Sequence, residues 1–289
     1  MGEFRSNRAV RRVRALGRVV GGPSAGELRR RHLDLVEKAL LHTLYTPVDR
    51  VEQPEFSRQG FRRAIEEAGE SVIPISPEAA RAQGRDRPAY GQTMVGAKRL
   101  RNVRRCVQEV IADGVRGDLI EAGAWRGGVT ILIKAILDAY GADDRHLYVA
   151  DSFAGLPAPN PDLYPLDADD LNYTDPQLAV PLEEVKGNFE RYGLLDDRVH
   201  FLEGWFADTL PSVRDRSWAL IRLDGDLYES ITDSLLNLYP GLSRGGYVIV
   251  DDFVFDNCRA AVEDFRAANA ITDPIEPIDW NGVCWRRGD

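Results

Sequence analysis

Short apolar runs and runs with helical spacing alternate along most of this chain. The short runs predict five buried strands, at Leu119–Glu121, His146–Ala150, Val199–Leu202, Trp218–Leu223 and Tyr247–Val250. Apolar residues three or four positions apart predict helices before, between and after them, at Ala97–Ala112, Val129–Tyr140, Leu182–Tyr192 and Arg259–Ala268. Strands that alternate with helices favour an α/β fold with a mostly parallel sheet.

Two later stretches depart from this alternation. Ile275–Asp279 and Val283–Arg286 flank a Trp280-Asn281-Gly282 turn, which predicts a hairpin that closes the sheet with an antiparallel last strand. Residues 157–181, after the second strand, are rich in Pro, Asp and Tyr and show no periodicity. A connection of that length is more typical of a lid than of a packed turn.

The first 96 residues precede the sheet pattern. They predict an amphipathic helix at Glu27–Leu44, a shorter helix at Phe56–Ala68 and a proline-rich loop at Ile73–Ala89. Because helices already cover both faces of the predicted sheet, the apolar face of Glu27–Leu44 is expected to form a subunit interface in a dimer or tetramer. We divide the chain into three parts: a basic flexible arm at 1–23, a helical cap at 24–96 and a sheet domain at 97–289.

Composition narrows the possible functions. A formal net charge of −9 and a pI near 5.1 argue against a nucleic-acid surface, although six arginines crowd the first 18 residues. No stretch approaches the roughly 20 apolar residues of a membrane span. Three cysteines without Cys-x-x-Cys spacing predict reduced thiols of a cytoplasmic protein, and the four histidines are scattered without metal-ligand spacing.

The first candidate chemistry lies in the glycine-rich turn between the first strand and its helix. Glu121-x-Gly123-x-x-x-Gly127-Gly128 places a carboxylate at the strand end, unlike the Gly-x-Gly-x-x-Gly turn that receives a pyrophosphate. A carboxylate repels a pyrophosphate and suits a cationic ligand, and S-adenosylmethionine is the cofactor of that description. The alternative to a cofactor-binding turn is a glycine turn that serves backbone packing only.

The next two strand ends extend the candidate cofactor site. Asp151, after the second strand, stands where an acidic residue binds both ribose hydroxyls of an adenosine, although it could instead cap a helix. Gly204 after the third strand lets the backbone approach a flat ligand, and Trp205 or Phe206 could lie along an adenine face. The alternative for both aromatic residues is a place in the core.

The fourth and fifth strands each run directly into acidic residues. Asp224-Gly225-Asp226 follows the fourth and Asp251-Asp252 the fifth, so their carboxylates should converge in the crevice at the carboxyl ends of the strands. Such a cluster repels itself unless a cation neutralises it, and oxygen ligands favour Mg²⁺, with Mn²⁺ or Ca²⁺ as substitutes. Helix capping is an alternative for Asp226 and Asp252 individually.

These motifs together resemble the macrocin O-methyltransferase family, the TylF- and MycF-like enzymes that methylate sugar hydroxyls of macrolides and related antibiotics. The resemblance covers about Leu33 to the C-terminus. It rests on seven segments, at residues 93–96, 117–121 with 125–128, 150–157, 182–186, 223–230, 245–252 and 282–287. Two departures are Ile231, where a Thr is usual, and Asn281, where a Gln is common.

The resemblance implies a class I methyltransferase fold, a Rossmann-like sheet with an antiparallel last strand. It also implies a glycosylated small-molecule acceptor and Mg²⁺ held by Asp224, Asp251 and Asp252. Ten residues are implied to bind S-adenosylmethionine: Thr93, Met94, Glu121, Gly123, Trp125, Asp151, Ser152, Gly204, Trp205 and Phe206. Tyr228 and Asn281 are expected to contact the acceptor.

The implied mechanism is an in-line displacement at the sulfonium methyl, with Asp224 as general base and Mg²⁺ across two adjacent sugar hydroxyls. Three rival hypotheses stay open. A catechol-type methyltransferase would bind the two adjacent hydroxyls of an aromatic diol to the metal in the same way. A nicotinamide-dependent reductase is disfavoured by the absent Gly-x-Gly-x-x-Gly turn, and a non-catalytic cofactor-binding module would not need the three acids.

Overall fold

The structure is a computed structural model that describes residues 22–44 and 76–288. Its α-helices are α1 (Ala25–Leu40), α2 (Pro77–Gln83), α3 (Ala97–Ala112), α4 (Gly128–Tyr140), α5 (Leu182–Arg191), α6 (Phe206–Thr209), α7 (Tyr228–Leu238) and α8 (Asp256–Ala268). Its strands are β1 (Asp118–Ala122), β2 (Leu147–Asp151), β3 (Val199–Glu203), β4 (Trp218–Leu223), β5 (Leu242–Val250), β6 (Glu276–Pro277) and β7 (Val283–Arg286).

The seven strands form one sheet in the order β3-β2-β1-β4-β5-β7-β6. The first five are mutually parallel, whereas β7 runs antiparallel to β5, and β6 antiparallel to β7. The α/β sheet and its closing hairpin are therefore as the sequence predicts. Chain order reverses between β1 and β4, which opens a crevice at the carboxyl ends of these two strands.

Successive strand residues point to opposite faces, so the sheet buries two layers of apolar side chains. Leu220 belongs to the layer covered by α1, α3, α4 and α5, and Ile221 to the layer covered by α7 and α8. Helices on both faces explain why the parallel strands are continuous apolar runs. The carboxyl ends of the strands are thereby held in a rigid row above which the candidate site lies.

The amphipathic N-terminal helix corrects one expectation. Helix α1 ends at Leu40 rather than Leu44, and its apolar residues Leu33, Val36 and Leu40 are buried against this chain's own α4. The apolar face therefore has a place on the sheet domain, and the reason given for a subunit interface is wrong. A homo-oligomer stays a prediction that would depend on other surfaces.

Other parts of the chain refine the predicted elements. The predicted loop at Ile73–Ala89 contains helix α2, which Ser76 caps by accepting a hydrogen bond from the Ala79 N–H at 3.2 Å. Strand β6 is shorter than predicted because Asp279 turns the chain by accepting the N–H groups of Asn281 and Gly282, both at 3.0 Å.

Helix α7 was not predicted from the sequence. The basic arm and the predicted helix Phe56–Ala68 lie outside the described residues, apart from Gly22 and Pro23 at the end of the arm. Within the part of the chain that the structure describes, no helix is both long and apolar enough to cross a membrane.

Candidate active site

Two adjoining cavities lie over the carboxyl ends of the strands. The first has a volume of about 360 Å³ and the second about 370 Å³. Their walls share Met94, Trp125, Leu178, Asp224 and Asp226. Two pockets of this size that meet at a common wall can hold two small molecules in contact.

All ten residues predicted to bind a cofactor line these cavities. Thr93 and Glu121 line the second cavity and Met94 and Trp125 line both. The remaining six line the first cavity: Gly123, Asp151, Ser152, Gly204, Trp205 and Phe206. These residues are spread over the chain from Thr93 to Phe206, a separation of 113 positions, and the structure brings them together.

The glycine turn after β1 requires glycine for close approach. Gly123 has φ +92°, and a Cβ on it would overlap the carbonyl oxygen of Asp224. Two non-glycine residues at the shared wall, Trp125 with φ 49° and Asp226 with φ 59°, also have left-handed backbones. Such conformations cost of order 1–3 kcal/mol each and tend to concentrate at functional sites.

Asp151 organises this turn from the end of β2. Its carboxylate accepts the N–H groups of Ala124 at 2.7 Å, Trp125 at 3.1 Å and Phe153 at 2.8 Å. Burial raises the pKa of Asp151, and these backbone bonds oppose that rise. These backbone contacts show that Asp151 holds the glycine turn in place, whereas the sequence suggested only helix capping as the alternative to ribose binding. Asp151 also lines the first cavity.

The acids after β4 and β5 converge as predicted. Asp224, Asp251 and Asp252 each offer a carboxylate oxygen, and these oxygens lie within 4.8 Å of one another. Asp251 and Asp252 are 5% exposed. Within residues 22–44 and 76–288, this is the group whose acidic, His or Cys side chains are placed to hold a metal ion.

Two buried arginines, which the sequence reasoning missed, run through this cluster. Arg222 donates to Glu121, to Asp224 at 2.8 Å and to Asp251 at 2.6 Å. Arg99 donates to the other oxygen of Asp251 and to Asp279 at 3.1 Å. Part of the negative charge is therefore neutralised by the protein itself, so a metal ion is not the sole cation of this cluster as the sequence alone suggested.

Acidic side chains still outnumber the arginines in this cluster. Glu121, Asp224, Asp251 and Asp279 contact the two guanidinium groups, and Asp252 lies beside Asp224 and Asp251. Like charges at such distances repel one another strongly in a poorly solvated site. The cluster thus retains a place for a further cation.

The pKa directions show how the charge is distributed. Burial raises the pKa of Asp224, and the charge of Asp251 adds to the effect. Burial also raises the pKa of Asp252 well above its ordinary value, together with the charges of Asp226, Asp224 and Asp251. For Asp251, burial is outweighed by Arg99 and Arg222, which lower its pKa. Asp251 is thus the acid of the three whose pKa the neighbouring arginines lower.

Two residues that line the second cavity each bury an oxygen atom that has no hydrogen-bond partner among the described residues: Glu121 Oε2 and Asn281 Oδ1. Burial raises the pKa of Glu121 to about 8, although Arg222 opposes the rise. An unpartnered buried polar atom costs about 1–3 kcal/mol, which a ligand that bonds to it would relieve. Both atoms are therefore candidate ligand contacts.

Two further observations bear on residues named from the sequence. Tyr228 lines neither cavity, and its hydroxyl donates to Asp264 on α8 at 2.9 Å, so its contact with the acceptor stays a prediction. Two of the histidines described as scattered meet on neighbouring strands, where His146 Nδ1 lies 2.8 Å from His200 Nε2.

The fold and the site together define a class. A parallel sheet closed by an antiparallel hairpin, with a glycine turn after β1 and acids at the following strand ends, is the architecture of class I O-methyltransferases. The family model described as macrocin-O-methyltransferase (TylF) matches residues 29–287. The chain belongs to this family and is an O-methyltransferase.

Individual relatives agree with the family. A Streptomyces olivaceus protein named 8-demethyl-8-(2,3-dimethoxy-alpha-L-rhamnosyl)-tetracenomycin-C 4'-O-methyltransferase is 55% identical over 71% of this chain and 79% of its own length. Demethyldecarbamoylnovobiocin O-methyltransferase of Streptomyces niveus is 46% identical over 89% of this chain and 93% of its own. The solved structure of the O-methyltransferase NovP superposes with a TM-score of 0.78 and 43% identity, covering 90% of this chain and all (100%) of that one.

Proposed function

We propose that this protein transfers the methyl group of S-adenosylmethionine to a sugar hydroxyl of a glycosylated natural product, with Mg²⁺ bound by Asp224, Asp251 and Asp252. One observation carries the proposal. Asp224 stands in the wall between a cavity lined by eight of the ten predicted cofactor residues and a cavity lined by the acid cluster. A methyl donor in the first cavity would face an acceptor in the second.

The names of the relatives support a glycoside as the acceptor. The protein from Streptomyces olivaceus is named for a rhamnosyl-tetracenomycin, and the one from Streptomyces niveus for demethyldecarbamoylnovobiocin. The second cavity suits a sugar, because polar atoms such as Asn281 Oδ1 stand beside the apolar side chains of Phe255 and Trp280.

The cofactor site has the chemistry that S-adenosylmethionine needs. Asp151 faces the first cavity for a ribose, and Trp205 and Phe206 offer aromatic surface for an adenine. Glu121, whose Oε2 is buried and unpartnered, lines the second cavity, so it would accept the ammonium group of a methionine end that extends past the shared wall at Met94 and Trp125. No cluster of basic side chains lines the first cavity among the described residues, which fits a ligand without phosphate.

The acid cluster fits a divalent cation on its donor set. Asp224, Asp251 and Asp252 supply oxygen atoms only, which Mg²⁺ prefers, and the carboxylates outnumber the two arginines. Mg²⁺, when bound, would lower the pKa of an acceptor hydroxyl and help to hold it in place.

Asp224 is the residue we assign as general base. It faces both cavities, and burial with the nearby charge of Asp251 raises its pKa, which makes its carboxylate a stronger proton acceptor. Arg222 holds the Asp224 carboxylate at 2.8 Å and so fixes its direction. The acceptor hydroxyl would pass its proton to Asp224 while its oxygen attacks the methyl group, and the S–CH₃ bond would break with its electron pair left on sulfur, which releases S-adenosylhomocysteine.

The direct test is product analysis. The purified protein is incubated with S-adenosylmethionine, Mg²⁺ and a panel of glycosylated metabolites, together with a simple catechol and a reduced nicotinamide cofactor. The products are identified by mass spectrometry. The proposal expects one glycoside to gain one methyl group on its sugar. Methylation of the catechol alone would support a catechol-type methyltransferase instead, and oxidation of the nicotinamide cofactor would support a reductase.

A first prediction concerns Asp151. Asp151→Ala should weaken S-adenosylmethionine binding by about 1.5–3 kcal/mol, roughly 10- to 150-fold in Kd, because both the ribose contact and the anchor of the 124–125 turn are lost. Calorimetry on the folded variant measures this directly. Asp215→Ala, at an exposed position before β4, is the matched control and should bind like the wild type. Unchanged affinity of Asp151→Ala would remove Asp151 from the cofactor site.

A further inference from the structure

Asp167 is a buried carboxylate within a mostly exposed segment. It is 1% exposed, whereas its neighbours Leu166, Ala168 and Asp169 are exposed. A buried carboxylate is strongly unfavourable unless it is hydrogen-bonded. Asp167 accepts the N–H groups of Tyr228 at 2.7 Å and Glu229 at 3.1 Å, and the Nδ2 amide of Asn257 at 2.8 Å.

These partners make Asp167 the cap of a distant helix. Tyr228 and Glu229 are the first residues of α7, and the N-cap residue Leu227 makes no side-chain bond of its own. The first N–H groups of a helix need acceptors, and a negative charge there is stabilised by the helix dipole. The 157–181 segment thus supplies the cap that the local sequence lacks, over a separation of 61 residues.

The same contact reaches the site. The Asn257 amide that donates to Asp167 also donates to the carbonyl of Asp226 at 3.0 Å. Asp226 has a left-handed backbone with φ 59° and lines both cavities. Its N–H points to Asp252 at 3.4 Å. A short chain of bonds therefore connects the segment to the acid cluster.

The segment also forms walls of the cavities on either side of Asp167. Pro157, Ala158 and Asn160 line the first cavity, Asn172 lines the second, and Leu178 lines both. The Trp125 indole donates to the Gln177 carbonyl at 2.8 Å, which fixes the far end of the segment on the glycine turn. Fixing Asp167 therefore fixes walls of both cavities.

We propose that Asp167 is a positioning residue that latches the 157–181 segment onto the N-terminus of α7, and so sets both the wall of the cofactor cavity and the Asp224–Asp226 turn. The inference rests on the proposed function for what the cavities bind. The latch itself is a property of the free protein and is testable without the acceptor.

The experiment compares Asp167→Ala with Asp169→Ala, an exposed neighbour in the same segment, and with Asp167→Asn, which keeps one acceptor oxygen. Hydrogen exchange of the free proteins reports the segment and the start of α7, and calorimetry reports the Kd of S-adenosylhomocysteine. Asp167→Ala should speed exchange at both places and raise the Kd by about tenfold or more, as expected for a lost cap and an unfixed wall. Asp169→Ala should match the wild type, and Asp167→Asn should fall between.

Two results would overturn the latch. One is unchanged exchange and unchanged Kd in Asp167→Ala. The other is faster exchange spread over the whole protein, since that would show general destabilisation. Asn257→Ala is a second variant that leaves both α7 contacts in place, and it should weaken S-adenosylhomocysteine binding without faster exchange at the start of α7. A wild-type protein that does not bind S-adenosylhomocysteine would contradict the proposed function, while the exchange pattern would still decide the latch.

Discussion

Asp224→Asn should reduce turnover by more than the roughly 10²–10⁴-fold that is usual for the loss of a general base alone. The substitution keeps the size of the side chain and one acceptor oxygen for Arg222, but it removes the basic site and one charge of the acid cluster. Metal affinity should fall together with proton removal, so the two losses combine. Initial rates of methyl transfer at saturating S-adenosylmethionine measure the effect.

The control for Asp224→Asn is cofactor binding. The Kd of S-adenosylmethionine should stay close to the wild-type value, because its proposed anchors, Glu121 and Asp151, lie at other strand ends. Asp215→Asn should leave both the rate and the Kd unchanged. A rate for Asp224→Asn within about tenfold of the wild type would exclude Asp224 as the base, since the expected loss is at least about 10²-fold.

Arg222→Met should destabilise the folded protein by about 3–5 kcal/mol, as expected when one partner of a buried ion network is removed. Arg222 is 1% exposed and contacts Glu121, Asp224 and Asp251, which would be left facing one another. Urea unfolding at neutral pH measures the loss. Arg222→Lys keeps the charge and should lose less stability.

The pH dependence of this loss has a definite sign. Without the guanidinium, the pKa values of Glu121 and Asp224 rise further in the folded state and that of Asp251 is no longer lowered by Arg222, while the pKa values in the unfolded state stay ordinary. A group with a raised folded pKa stabilises at low pH, and that contribution is lost as the pH rises through the folded pKa. The deficit of Arg222→Met should therefore shrink from about pH 7 toward about pH 5, and a deficit independent of pH would show that packing alone is lost.

The sequence predicted those parts of the site that depend on strand ends. The positions of Asp151, Asp224 and Asp251 follow from counting short apolar runs, because parallel strands bring their carboxyl ends to one edge of the sheet. Gly123 was predictable because a glycine after a buried strand marks a close backbone approach, which the Asp224 carbonyl makes here.

Contacts across the fold were harder to predict. Arg222 left one signal, a charged residue inside the otherwise apolar run Trp218–Leu223, which should have suggested a buried ion pair. Arg99 left none, because other basic residues surround it in α3. The direction of the Tyr228 side chain depends on Asp264, a residue 36 positions away on another helix, and no local pattern specifies that.

The most direct test of the central claim is the metal dependence of methyl transfer. The protein is treated with EDTA, freed of the chelator, and assayed with S-adenosylmethionine and the glycoside that the panel identifies, first without and then with added Mg²⁺. We predict no methylated product from the metal-free protein and full recovery with Mg²⁺. Methylation by the metal-free protein at the full rate would contradict the account and leave the Asp224, Asp251 and Asp252 cluster a structural role only.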